Sequence, residues 1–74
     1  METETFHLED NDYIELSKLL KLCVVVPSGG HAKQLIANNQ VLVNQQPETR
    51  KKCKITADMV IEIPSLNQKI IVKK

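Results

Sequence analysis

Arg50, Lys51, Lys52 and Lys54 stand within five positions of the stretch ETRKKCK. A run of cations is usually a solvated face. Cations at this spacing also suit the phosphates of a nucleic-acid backbone, provided that a rigid element spreads them. A second stretch, PSGGHAKQLI, holds the only two glycines of the chain, Gly29 and Gly30, between Ser28 and His31. Glycine adds no packing and loses much backbone entropy on folding, so adjacent glycines mark a conformation or a close approach that a Cβ would block. At a helix start they leave unpaired amide N–H groups open to an anion, with the Ser28 hydroxyl beside them and Lys33 one turn on. The alternative is that they only let the turn pack on the preceding helix. The Lys-Ser/Thr pair and longer glycine spacing of a nucleotide P-loop are missing.

Other chemistries are poorly supplied. His7, His31, Cys23 and Cys53 show neither C-x-x-C nor paired-histidine spacing, so no metal or other cofactor is expected. Cys23 belongs to an apolar helix face and nothing suggests an oxyanion hole, so no enzyme activity is expected. Phe6 and Tyr13 are the only aromatics, which favours backbone and shape recognition over base stacking.

These residues need elements to position them. Leu16, Leu19, Leu20 and Cys23 recur at i, i+3, i+4 and i+7, and the spacing predicts a helix from about residue 12 to 22, capped by Asn11 with acids in its first turn. Pro27 disfavours helix at Val26, Ser28 is a good N-cap, and Ala32, Leu35 and Ile36 form the stripe of a second helix ending at about Asn38. Asn39 then suits the left-handed residue that terminates helices. Alternation through QVLVN predicts a strand, with Pro47 in the turn that follows. Apolar runs around Ile55, Met59–Ile63 and Ile70–Val72 predict three more short strands, separated by turns at 57–58 and 65–68. TFHLED reads as a short strand or a frayed arm. The fold class expected is α+β, two adjacent helices on a small, mostly antiparallel sheet.

The totals agree with a binding module. A chain of 74 residues is expected to form one domain, and one this small buries only roughly 60% of the surface its unfolded chain exposes. A roomy interior cleft is therefore not expected. The formal net charge of +1 hides a polarised chain: residues 1–15 carry six acids and no Lys or Arg, whereas residues 16–74 carry all ten Lys and Arg against three acids. That asymmetry points to a polyanionic partner. No apolar run approaches a membrane span, and the N-terminus lacks the order of a signal peptide, so a cytoplasmic location is expected.

The stretches LSKLLKL, SGGHAKQLIANNQVLVN and ETRKKCKITADMVIEI together resemble the S-four RNA-binding domain, over residues 16–63, with an acidic strand or arm at 1–11. The GG-x-AK and E-x-R-K steps resemble the small standalone bacterial members more than the domains appended to enzymes. The resemblance implies a helix-loop-strand surface for structured RNA, commonly ribosomal. The partner expected is structured RNA, such as ribosomal RNA or an assembly intermediate, while the small size and the lack of an apolar span lead us to expect no small-molecule substrate and no membrane. Carried over by position, the surface uses Lys33 and its neighbours His31 and Gln34 on the second helix, then Arg50, Lys51, Lys52 and Lys54; the open amides of the helix start add Ser28, Gly29 and Gly30 to the candidate RNA-binding residues. The chain departs from the pattern at Gly29, where many members have Arg, and at Asn39 and Gln45, which replace glycines on either side of VLVN. Two other readings are a helix-turn-helix DNA binder using His31, Lys33, Gln34 and Asn38, and a protein-interaction adaptor whose basic cluster serves solubility.

Overall fold

Apolar residues at helical spacing build two helices in the computed structural model, which describes residues 2–23 and 29–74. Helix α1 (Leu16–Cys23) buries Leu16, Leu19 and Leu20. Helix α2 (Gly29–Ala37) buries Ala32 and Ile36 and half-buries Leu35. The expected cap at Ser28 lies outside the described residues.

Helix α1 starts at Leu16, not near residue 12. Asn11 does not cap it: the Asn11 amide and its Nδ2 both donate to the Leu8 carbonyl, at 3.0 and 3.1 Å, and close a turn. Ile14–Glu15 forms a two-residue strand, β2, paired antiparallel with β5 (Lys54–Ile55). The acids at 12 and 15 thus precede the helix, and its first turn has none.

Helix α2 ends as expected. Asn39 takes φ 59°, its N–H donates to the Ile36 carbonyl, and the Gln40 N–H reaches back to the Leu35 carbonyl at 2.9 Å. This paired termination satisfies carbonyls that the last turn leaves open. Strand β3 (Leu42–Val43) then turns through Asn44 and Gln45 into β4 (Gln46–Pro47). The bend comes earlier than expected, and Pro47 lies in the returning strand. Asn44 and Gln45 have φ of 52° and 70°, as a tight two-residue hairpin of the mirror-image type I class demands. Proline is tolerated in β4 because that strand is a sheet edge.

Strand β6 (Val60–Ile63) and β7 (Gln68–Lys73) complete the main sheet with β1 (Glu2–His7), in the order β1-β7-β6-β3-β4. All its pairs are antiparallel except β1–β7, which runs parallel from Glu2 opposite Gln68 to His7 opposite Lys73. The N-terminal segment is therefore a paired strand of six residues and not a frayed arm. Between β6 and β7, Pro64–Leu66 makes a 3-10 turn closed by Asn67 at φ 54°.

The helices and the sheet share one core. Leu8, Leu16, Leu19, Leu20, Ile36 and Val41 pack with Ile55, Ile61, Ile63, Ile70 and Val72, and no polar side chain among the described residues is buried with them. Ile55 of β5 inserts into this core, so the segment just after the basic run is anchored from below.

Candidate nucleic-acid interface

The basic run forms a turn. The Cys53 N–H donates to the Arg50 carbonyl at 3.1 Å, which places Lys51 and Lys52 at its two central positions, both exposed. That turn is fastened to α1. The Leu16 N–H donates to the Cys53 carbonyl at 2.9 Å and the Ser17 N–H to the Lys51 carbonyl at 3.0 Å. A helix leaves its first amides without intrahelical partners, so these bonds both cap α1 and hold the lysine turn in place.

Three elements then converge. Lys18 and Lys21 of α1, Lys33 of α2 and Lys51 and Lys52 of the turn line one cleft of ≈ 430 Å³, together with Ser17 and Glu15. Glu15 is its only carboxylate and lies 3.8 Å from the Lys18 ammonium. An exposed pair of this kind contributes about 0–1 kcal/mol, too little to withhold Lys18 from a phosphate. Among the described residues, Lys21, Lys33, Lys51 and Lys52 have no ion-pair partner. Cations are disfavoured near a helix N-terminus, so this surface at the start of α1 carries positive charge that a polyanion would relieve.

The other cations of the run are engaged. Arg50 forks onto Glu48, Nε to Oε2 at 3.0 Å and Nη2 to Oε1 at 3.1 Å, while its backbone N–H also donates to Oε2 at 3.1 Å. Those bonds pull the Glu48 carboxyl down from 4.5 to about 2. Lys54 places its ammonium 5.1 Å from the centre of the Tyr13 ring. The sequence-expected residues therefore divide: Lys33, Lys51 and Lys52 meet at the cleft, Arg50 and Lys54 flank it in local pairs, and Gly30, His31 and Gln34 lie exposed on α2. Gly29 opens α2, and no glycine among the described residues has a positive φ. The pair is therefore not required by a left-handed backbone conformation. Ser28 lies outside the described residues.

Sequence reasoning missed Lys18 and Lys21. Their signal was present: three positions apart, they lie on the side of α1 opposite its buried leucines, but they stand far in sequence from the basic run at 50–54. A larger open groove of ≈ 870 Å³ on the same turn, walled by Val43, Glu48, Arg50, Cys53 and Met59, was also unforeseen. It is a surface channel between the turn and the sheet, outside the thin core.

The cysteines offer little nucleophilicity. Burial, with the Glu4 charge behind it, pushes the Cys23 thiol up to about 11, and burial also raises that of Cys53. Both pack half-buried on the core as free thiols. Among the described residues, no group of three or more His, Cys, Asp or Glu is placed to hold a metal ion, and no helix is long and apolar enough to cross a membrane.

Comparison with known proteins places this architecture. The S4 domain family profile matches residues 6–73. The chain belongs to the S4 domain family. Its match extends beyond the 16–63 stretch of the sequence resemblance to include the end of β1, Phe6 and His7, and all of β7. This S4 domain is 39% identical to YbcJ of Escherichia coli (strain K12) over 67 residues, covering 90% of this chain and 96% of that protein. It is 41% identical over 54 residues to RlbA of Bacillus subtilis (strain 168), whose name refers to ribosome maturation, covering 73% and 76% of the two chains. The solution structure of YbcJ, described as revealing an ALFAL motif involved in RNA binding, superposes with a TM-score of 0.66 over 90% of this S4 domain and 85% of that chain.

Proposed function

We propose that this S4 domain is a non-catalytic module that binds structured RNA, with the phosphate backbone seated on the lysine cleft. The observation that carries the reading is the convergence of Lys18, Lys21, Lys33, Lys51 and Lys52 from α1, α2 and the turn at 50–53. Cations fixed on three packed elements can match several phosphates at once, which a mobile basic tail cannot do without an ordering cost. The proposed surface also takes in Gly29, Gly30, His31 and Gln34 at the start of α2, and the sequence expectation adds Ser28. Arg50 and Lys54 belong to it as well.

A helix-turn-helix reading fits less well. A recognition helix must project into a major groove, whereas here the cations surround a concavity to which α2 supplies only Lys33. The name of RlbA makes ribosomal RNA, or an assembly intermediate containing it, the favoured target class, and that target would place the protein in the cytoplasm.

The test is binding, at near-physiological salt, to a labelled structured RNA and to duplex DNA of equal length. The expected result is a preference for RNA that disappears when Lys33, Lys51 and Lys52 are replaced by Ala. Equal affinity for the two nucleic acids, or binding that survives the triple substitution, would overturn the reading.

A further inference from the structure

The turn at 50–53 has two flanks, and the lysine cleft occupies one. The ≈ 870 Å³ groove lies on the other, and Lys51 and Lys52 line both. Its walls are of a different kind. Val43 and Met59 expose apolar atoms from the sheet side, Cys53 adds a weakly polar sulfur, and Thr49, Glu48 and Arg50 supply hydroxyl, carboxylate and guanidinium. Apolar surface next to a few fixed polar groups suits a flat molecule with apolar faces and a hydrogen-bonding rim.

Resting on the RNA-binding reading above, we infer that this groove receives one unpaired nucleobase of the RNA whose phosphates lie on Lys51 and Lys52. A base is covalently tied to its phosphate, so a backbone held at the apex of the turn brings its own nucleotide to the groove mouth. The volume falls within the roughly 300–1,000 Å³ of small-molecule sites. Charge selects the occupant: a groove rimmed by Lys51, Lys52 and Lys54 favours a moiety carried on a polyanion over an apolar protein side chain. Arg50 is prepared for the task, because the fork with Glu48 occupies its Nε and Nη2 edge and leaves the guanidinium plane, on which unstacked RNA bases are commonly stacked. Met59 is held as well, its sulfur accepting the Thr56 N–H at 3.4 Å. The scarcity of aromatics therefore does not exclude base recognition: a thioether, a valine and a guanidinium take the place of rings.

The inference separates a fully paired stem from one interrupted by a bulge. Two RNA hairpins of the same stem sequence are compared at low salt, one perfectly paired and one with a single bulged 2-aminopurine, a fluorescent adenine analogue. The wild-type protein is expected to bind the bulged hairpin about tenfold tighter, the order of one base–protein stacking contact, and to change the fluorescence of the analogue. Met59→Ala or Val43→Ala, each checked for folding by circular dichroism, is expected to remove that advantage without altering affinity for the paired stem. Equal affinity for the two hairpins with unchanged fluorescence, or an advantage that both substitutions leave intact, would overturn the base site while leaving the phosphate surface standing. Failure to bind either hairpin would overturn the RNA reading and this inference with it.

Discussion

Glu48 and Arg50 are two positions apart just beyond β4, and both the backbone N–H and the guanidinium of Arg50 close on the Glu48 carboxylate. Only 18% of the Glu48 side chain is accessible, against 75% for Arg50, so the carboxylate is the sheltered member of the pair. Its pKa, lowered from 4.5 to about 2, has a definite consequence for acid stability. A carboxylate with a depressed folded-state pKa contributes stability that is fully present above its unfolded value, and that contribution is lost as pH falls through the folded value. The melting temperature of the wild type is therefore expected to fall between pH 4.5 and about 2 with a component that Glu48→Gln lacks. Equal acid limbs for the two proteins in thermal melts would show that the fork contributes nothing to the fold. Because the neighbouring Arg50 is largely exposed, the difference is expected to be modest.

At the scale of elements, two of the three departures from the pattern, Asn39 and Gln45, fall at backbone positions with positive φ. Gln45 sits at φ 70° in the second central position of the β3–β4 hairpin, where glycine is the preferred residue. A non-glycine residue in the left-handed region costs about 1–2 kcal/mol, and glycine's extra unfolded-state entropy offsets about 0.5–1 kcal/mol of that. The balance favours substitution: Gln45→Gly is expected to stabilise the protein by roughly 0.5–1 kcal/mol in urea denaturation. No gain would mean that Gln45 makes compensating contacts. Asn39 sits at φ 59° with the amide bonds that end α2, and Asn39→Ala is expected to lose about 1 kcal/mol in the same assay, since alanine lacks the local hydrogen bonding that eases this conformation for asparagine. Asn39 was legible in the sequence because a helix end has a local signature. The start of α1 was not. Asn11 and the acids at 12 and 15 imitate an N-terminus, and what moves the true start to Leu16 is non-local: β2 pairs with β5, and the first amides of α1 bond to carbonyls of the lysine turn. The apolar runs of β5, β6 and β7 were legible, but the parallel seating of β1 beside β7 joins the two ends of the chain and has no local mark. Lys33, Lys51 and Lys52 could be named from the sequence as basic residues near a helix start and a strand. Their meeting with Lys18 and Lys21 depends on the same fastening of turn to helix.

For the whole molecule, a net charge of +1 says little about how the protein meets a polyanion, because the fold sorts the charges. Glu2 and Glu4 of β1 line a cleft with Cys23 and Gln68 that contains no Lys or Arg, whereas five lysines share the cleft of α1, α2 and the turn. Lys73 and Lys74 are matched elsewhere, to Asp58 at 3.3 Å and Asp12 at 3.7 Å. Binding should therefore report the local surface and not the total. Each phosphate neutralised releases condensed counterions, so five contacts give a plot of log K against log salt with a slope of roughly −3.5 to −4.5. Lys51→Ala and Lys33→Ala are each expected to make that slope shallower by about 0.7–0.9 and to weaken binding similarly across RNA sequences. Lys73→Ala, which removes a cation of equal formal charge from a different surface, is expected to leave the slope unchanged. If the three substitutions altered the slope equally, the RNA would be responding to the protein's overall charge and the lysine cleft would have no special part in holding it. A slope that stays flat in the wild type would remove phosphate contacts from the binding altogether.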